Sequence, residues 1–362
     1  MKTRQFRIAK GQFSAKLLKW DMETNNRKMP WKGEKDPYRI WLSEIILQQT
    51  RVEQGLQYYQ NFIKAFPDIH KLAKAPESKI FKLWEGLGYY SRCRNLIATA
   101  KYISKELKGV FPDDYNSIKS LKGVGPYTAA AISSFAFNLL YPVVDGNVYR
   151  VLARIFGINE PIDNTNGKKI FNFLAEELID KREPGRYNQA IMDFGATICK
   201  PQAPLCDTCI FKKQCYAFLN KNTGQLPVKE KRIKIKERWF YYLVLEYKNT
   251  IAIRQRKEKD IWRDLYEFPL IELKKKINPG KLINTTINDL KLSHTKHQTP
   301  YSSSLYKQKL SHQLISGYYL FIKIDKKPIL KNDWLWVKKS DFKQYTFPRF
   351  INSFLSENPI KS

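Results

Sequence analysis

The sequence is short of acids, of cysteine and of long apolar runs. Only 34 of its 362 residues are Asp or Glu against 64 Lys or Arg, which leaves a formal charge of +30. A field of that sign repels polycations and favours a polyanion, nucleic acid before others. The excess is not one basic tail, because residues 1–221 carry +14 and residues 222–362 carry +16. No apolar run has membrane-spanning length and residues 1–20 lack a charged-then-apolar leader, so a cytoplasmic location with no membrane partner is expected. Five cysteines, four of them within 17 residues, disfavour a disulfide framework and point to a metal or cluster site. At 362 residues and 43% hydrophobic content the chain has material for two separate cores.

What is present is organised around Leu121–Arg150, LKGVGPYTAAAISSFAFNLLYPVVDGNVYR. Gly123 and Gly125 allow a sharp turn and a close backbone approach. Pro126 suits the first turn of an apolar helix over Pro126–Phe137. A glycine turn feeding a helix N-terminus presents unpaired N–H groups and a positive dipole end, which is a seat for phosphate. Twenty residues beyond Gly125 stands Asp145, either a helix N-cap or a carboxylate placed for chemistry. The pattern resembles the helix–hairpin–helix and Gly/Pro–Asp loop of the DNA glycosylase superfamily that includes endonuclease III.

Earlier in the chain, a helix beginning at Pro37 is apolar nearly all round, DPYRIWLSEIILQQT, with Glu44 on the face of Ile40, Trp41 and Leu47. A carboxyl there loses its water, so its pKa rises and it stays protonated near neutrality, unless it pairs with Arg51 or reaches solvent. This block, with Leu83–Arg92 (LWEGLGYYSR) and Tyr187–Ala196 (YNQAIMDFGA), is similar to the MutY family of adenine DNA glycosylases. The resemblance implies Glu44 as catalytic acid and Asp145 as stabiliser of the cationic sugar, with Tyr127 and Asn147 orienting Asp145 and the departing base. It also implies contacts to DNA from Trp31, Gln49, Thr50, Leu87, Tyr89, Gly123, Gly125 and Gln189. The endonuclease III branch carries a Schiff-base lysine where this chain has Tyr127. A monofunctional hydrolase is therefore expected, with a bifunctional glycosylase/lyase acting on oxidised pyrimidines as the alternative. Lys32 stands where many relatives have arginine, a looser contact near the pocket.

Cys199, Cys206, Cys209 and Cys215 give C-x6-C-x2-C-x5-C. Four thiolates in one short loop suit zinc on general grounds; by resemblance the spacing is that of a [4Fe–4S] cluster loop. Cys93 stands apart as a core thiol. Residues 222–237 read as a basic linker and residues 238–362 as a strand-rich domain, with a hairpin of Trp239–Tyr247 and Ile251–Arg256 about Lys248-Asn249. The segments around Tyr266–Pro269 and Leu310–His312 resemble the Nudix-like C-terminal domain of the MutY family, and by that match Ser311 and His312 inspect 8-oxoguanine. Leu310 replaces the family's phenylalanine. No Nudix acid cluster for Mg²⁺ occurs in residues 239–362. The expected architecture is thus an all-α helix–hairpin–helix glycosylase domain over residues 1–221, carrying the cluster loop at 199–215, followed by an α+β Nudix-like domain. The expected partner is double-stranded DNA with adenine opposite 8-oxoguanine or guanine, and the expected form a monomer.

Overall fold

The computed structural model describes residues 8, 10–230, 235–292, 299–328 and 333–360, so residues 231–234 of the expected linker lie outside it. The chain forms two compact units: residues 1–74 with 95–231, and residues 75–94 with 232–362. The helices of the first are α1 (Lys10–Glu23), α2 (Pro37–Leu47), α3 (Val52–Ala65) and α4 (Ile69–Lys74). After α5 (Glu77–Trp84), which belongs to the second unit, α6 (Tyr90–Lys105) crosses the division. The first unit continues with α7 (Tyr115–Ser120), α8 (Pro126–Phe137), α9 (Gly146–Phe156), α10 (Thr165–Leu178), α11 (Pro184–Thr197) and α12 (Tyr216–Leu219). No helix among the described residues is long and apolar enough to cross a membrane.

Local chemistry sets the helix ends that matter for the site. Asp36 caps α2 by accepting from the Tyr38 N–H at 2.9 Å, with Pro37 in the first turn. Residue Asn138, left-handed at φ +53°, closes α8. The helix α9 opens on Asp145 and closes at left-handed Gly157. Phe13, Trp20, Phe171, Phe194 and Phe211 fill the core between α1, α9, α10 and α11, with Phe13 stacked on Phe211 at a centroid distance of 4.8 Å.

The second unit holds a mixed eight-stranded sheet: β1 (Lys236–Tyr247), β2 (Thr250–Gln255), β3 (Tyr266–Glu267), β4 (Leu270–Leu273), β5 (Tyr301–Ser302), β6 (Tyr306–Lys309), β7 (Gln313–Lys323) and β8 (Trp334–Lys338). The strands β1 and β2 form the expected hairpin, with Lys248 at φ +50° in its turn. β1 and β7 run parallel in continuous register from Lys236–Gln313 to Glu246–Lys323. The sheet is covered on both faces, so β1 is apolar at successive positions. Tyr241, Leu243 and Leu245 share a core with Ile283 of α13 (Pro279–Asp289). Tyr242 and Tyr319 pack with Phe350 and Phe354 of α14 (Arg349–Glu357). Neither α13 nor α14 is among the expected elements, although Asn278-Pro279 carries a helix-start signal: the Asn278 carboxamide accepts from the Gly280 N–H at 2.9 Å.

Phe354 lies face to face with Tyr319 at 3.7 Å between centroids and is almost fully buried. Phe354→Ala should therefore destabilise this unit by about 3–5 kcal/mol, read as a lowered midpoint in denaturant unfolding followed by near-UV circular dichroism.

Candidate active site

The loop before α2, the C-terminal half of α2, the start of α8 and the start of α9 converge on a cavity of about 510 Å³. Trp31, Glu44, Gln49, Thr50, Tyr127, Asp145, Asn147 and Gln189 all line it. Eight residues read from four distant stretches of sequence are thus brought together in one place.

Glu44 is buried on a helix that exposes little of itself, and lines the cavity with Leu47, Tyr127, Val144 and Met192. Loss of water pushes its carboxyl up to about 7; the Asp145 charge adds to the shift and a hydrogen bond with the Tyr127 hydroxyl opposes it. Tyr127 thus meets Glu44, where the sequence reading gave it to Asp145 and the departing base. Burial and the two neighbouring carboxylates hold the Tyr127 phenol far above its ordinary range, so it remains a donor.

Asp145 caps α9 and faces the cavity at once. One carboxylate oxygen accepts from the Val148 N–H at 2.8 Å and the other from the Asn147 amide at 2.7 Å. Burial raises this carboxyl too, while those donors and the Arg150 guanidinium oppose the rise. The loop nonetheless supplies Asp145 with N–H donors that favour the charged form. Arg150 extends the chain of contacts: it donates to the Asn147 carbonyl oxygen at 2.8 Å, to Gly195 O at 2.7 Å and to Cys199 O at 2.7 Å. The sequence reading missed Arg150, although it lies one helical turn after Asn147. Gln48 was missed as well, beside the named Gln49; its amide donates to Thr128 Oγ1 at 3.1 Å and so ties α2 to α8.

Beneath the cavity lies Asp193, fully buried, which accepts from Arg27 at 2.8 Å, Lys32 at 3.0 Å and Gln189 at 3.1 Å. Lys32 also reaches Asp21 at 3.2 Å, so the ammonium is clamped between two carboxylates and not loosened by being lysine.

Other expected residues lie elsewhere. Gly123, at φ +83°, forms the turn before α8, and a Cβ there would stand 2.6 Å from the Asn95 side chain. Gly125 caps α8 with open space where its Cβ would be. Leu87 and Tyr89 belong to the second unit. Leu87 is buried, whereas Tyr89 is 43% exposed and held at φ +48° with the Arg92 guanidinium 5.4 Å from its ring. Its hydroxyl is hydrogen-bonded to Ser311. Ser311 and His312 are exposed at the tip of the β6–β7 hairpin, closed by the Leu310 N–H on Gln313 O at 2.7 Å.

The four clustered cysteines surround one small cavity with Arg154, Ile155 and Phe194. Burial, then the neighbouring thiolates, raises Cys206 and Cys215. Burial pushes Cys209 up to about 12. Arg154 donates to Lys200 O at 2.7 Å, with a second guanidinium N–H 3.6 Å from Cys199 Sγ through the same nitrogen. Among the described residues no three His, Cys, Asp or Glu side chains are arranged to hold a single metal ion. Cys93 is a buried core thiol.

Comparison with known proteins agrees with this arrangement. Residues 42–180 match the HhH-GPD superfamily of base excision DNA repair proteins and residues 240–357 match the NUDIX domain. The chain is 36% identical over 322 residues to the adenine DNA glycosylase of Buchnera aphidicola subsp. Baizongia pistaciae, covering 89% of each protein. It is also 36% identical to that of subsp. Acyrthosiphon pisum, covering 78% of this chain and 82% of that one. Among solved structures, a thermostable thymine-DNA glycosylase superposes with a TM-score of 0.53 at 31% identity, over 57% of this chain and 95% of that one. An endonuclease III–DNA complex shares the fold at a TM-score of 0.51 and 20% identity, over 59% of this chain and 98% of that one. The helical unit, the Nudix-like unit and the coverage of these relatives lead to one assignment: the chain belongs to the MutY family of adenine DNA glycosylases.

Proposed function

We propose that Glu44 and Asp145 hydrolyse the N-glycosidic bond of adenine in duplex DNA, where the adenine stands opposite 8-oxoguanine or guanine, without a lyase step. The observation that supports this most is the sharing of one cavity by two carboxyls with unlike surroundings, one stripped of water and hydrogen-bonded to a phenol, the other bound by N–H donors. Such a difference separates an acid from an electrostatic stabiliser.

Adenine leaves poorly as an anion, so it needs a proton as the bond breaks. Glu44, at about 7, holds that proton near neutrality and donates it to the base, at N7 by resemblance to the family. The sugar then carries positive charge, which ionised Asp145 stabilises at short range in a cavity with little water. Asn147 keeps the Asp145 carboxylate aimed. The adenine has to leave the helical stack to reach this cavity, at a cost of a few kcal/mol that a mispair lowers. Tyr127 offers no amine for attack on the sugar, which argues against a lyase.

The exposed Tyr89 and the Ser311–His312 tip are suited to the base opposite: an aromatic wedge beside a hydroxyl and an imidazole. The turn at Gly123–Gly125 suits phosphate contacts that hold register without reading sequence. Cys199, Cys206, Cys209 and Cys215 would hold a [4Fe–4S] cluster. The donor set fits such a centre, because four soft sulfur donors line one small cavity and a cationic core is what favours them as thiolates over the protonated form that burial promotes at Cys206, Cys209 and Cys215. When bound, the cluster stiffens the basic loop, and no step of base removal passes through it.

Duplexes carrying adenine opposite 8-oxoguanine should lose adenine and break only after alkali, whereas thymine glycol duplexes should remain whole. Scission without alkali would instead mean a lyase. Glu44→Gln should abolish release by a factor of about 10³ or more while duplex binding in gel-shift assays is retained. In single turnover the rate should hold below about 7 and fall roughly tenfold per pH unit above it, as the proton on Glu44 is lost; a rate flat to pH 9 would remove Glu44 from the acid role. Purified protein should contain about four irons per chain and absorb in the visible, and Cys206→Ala should lose both; stoichiometric zinc in a colourless protein would refute the cluster.

A further inference from the structure

A second cavity adjoins the first. Trp31 and Gln189, which line the cavity of Glu44 and Asp145, also line one of about 380 Å³ walled by Asp21, Glu34, Lys35, Phe135, Glu183 and Arg186. Trp31 and Gln189 thus stand between the two, and Lys32, next to Trp31, lines the second. Lys32 and Gln189 are both tied down by the buried Asp193 carboxylate, at 3.0 Å and 3.1 Å. Trp31 itself sits in a turn, closed by Lys32 N–H to Met29 O at 3.0 Å and Glu34 N–H to Trp31 O at 3.2 Å. The Lys35 ammonium fastens this loop to Phe135 O at 2.9 Å.

The geometry has a consequence for a base that has just been cut free. An extruded nucleotide enters its pocket base first, with the sugar and phosphates trailing in the mouth. When the bond breaks, the base lies deepest and the abasic strand fills the way it came in. A free purine is flat, uncharged and carries both donors and acceptors at its edge. The second cavity presents aromatic side chains at Trp31 and Phe135 and a rim of paired charges, in which Arg186 holds Asp21 at 3.2 Å and Glu183 at 3.6 Å, Glu34 pairs with Arg39 at 3.3 Å, and the Lys35 ammonium rests on Phe135 O. Its charges are mixed in sign, which suits a neutral heterocycle better than a phosphate.

We propose that this second cavity is a product site for free adenine, by which the purine leaves past Trp31 and Gln189 while the abasic strand still occupies the mouth. The inference rests on the reading of the Glu44 cavity given above and adds a destination to it. Glu183 is the residue to test it with. It is exposed, lines the second cavity and not the first, makes no side-chain cap bond at the start of α11, and gives up only a solvent-exposed ion pair of 3.6 Å with Arg186, so a larger side chain narrows the cavity with little cost to the fold.

Full-length protein is mixed in excess with a duplex whose target adenine is radiolabelled. Acid quenching counts all adenine detached, and rapid native filtration counts adenine still held by the protein. With Glu183→Trp, detachment should stay within about twofold of wild type while escape slows roughly tenfold; Lys35→Trp, from the opposite wall, should do the same, and Glu183→Gln should behave as wild type. Equilibrium dialysis of labelled adenine against the protein alone reads the site without turnover: about two molecules per chain are expected for wild type and about one for Glu183→Trp. Escape at the wild-type rate in both tryptophan variants, or one adenine per chain in the wild type, overturns the product site. Absence of any detached adenine with wild-type protein would instead count against the hydrolase reading, and the dialysis result would still decide this one.

Discussion

Everything at the centre of the first unit follows from placing a carboxyl on the buried face of α2 with no cation beside it in its hydrogen bonds. An ionised Glu44 would have to give up water for a phenol and hydrocarbon, a loss that a single hydrogen bond from Tyr127 does not offset. The group answers by keeping its proton. The surrounding elements then have to preserve that condition: α2 must stay apolar on almost every face, Gln48 must hold α2 against α8, and Tyr127 must remain a donor. A lysine in place of Tyr127 would put a cation beside Glu44 and draw the proton off it, so under the proposed mechanism the phenol there keeps the acid protonated as well as withholding an amine.

Asp145 solves the opposite problem with backbone. As the cap of α9 it gains the Val148 N–H and the positive end of a helix, and Asn147 adds a side-chain donor. Arg150 then joins Asn147 to the carbonyl of Cys199. The carboxylate is thus continuous, through two side chains, with the loop that carries the four thiols. A cysteine loop whose backbone moved would withdraw an acceptor from Arg150 and loosen the amide that aims Asp145.

Much of this was legible in the sequence because the informative residues break local rules. Glu44 interrupts an apolar helix, Gly123 and Gly125 interrupt a helical run, and the cysteines crowd one loop; each is a local anomaly that declares itself. Arg150 on its helix, Arg27 in a loop and Gln48 in a turn are ordinary residues for a surface, and only the tertiary fold turns them inward, so spacing alone does not reveal them. The two helices of the second unit were overlooked for a related reason. Both α13 and α14 are short and lie among strands, and α14 is recognised chiefly by the aromatic layer of Tyr242, Tyr319 and Phe350 that it completes. The packing of residues 75–94 with the strand-rich part has no signature in the sequence at all, since it depends on contacts such as the Glu85 carboxylate with the Phe347 N–H at 2.9 Å and the Asn352 amide at 3.0 Å.

That last pairing bears on how the protein is made. Glu85 and Phe347 are 262 residues apart in the chain, so at about 5–20 residues per second roughly 13–50 s of translation separate the synthesis of one from that of the other. During this interval α5 and the glycine-rich turn after it have emerged from the ribosome without the surface they finally rest on. The flanking helices can already be assembling, and the segment waits as a loop on a partly formed neighbour, its Trp84 and Phe81 side chains open to a holding chaperone. A nascent chain arrested before the last helix would present that loop permanently, which makes it a natural point of attack for quality-control proteases.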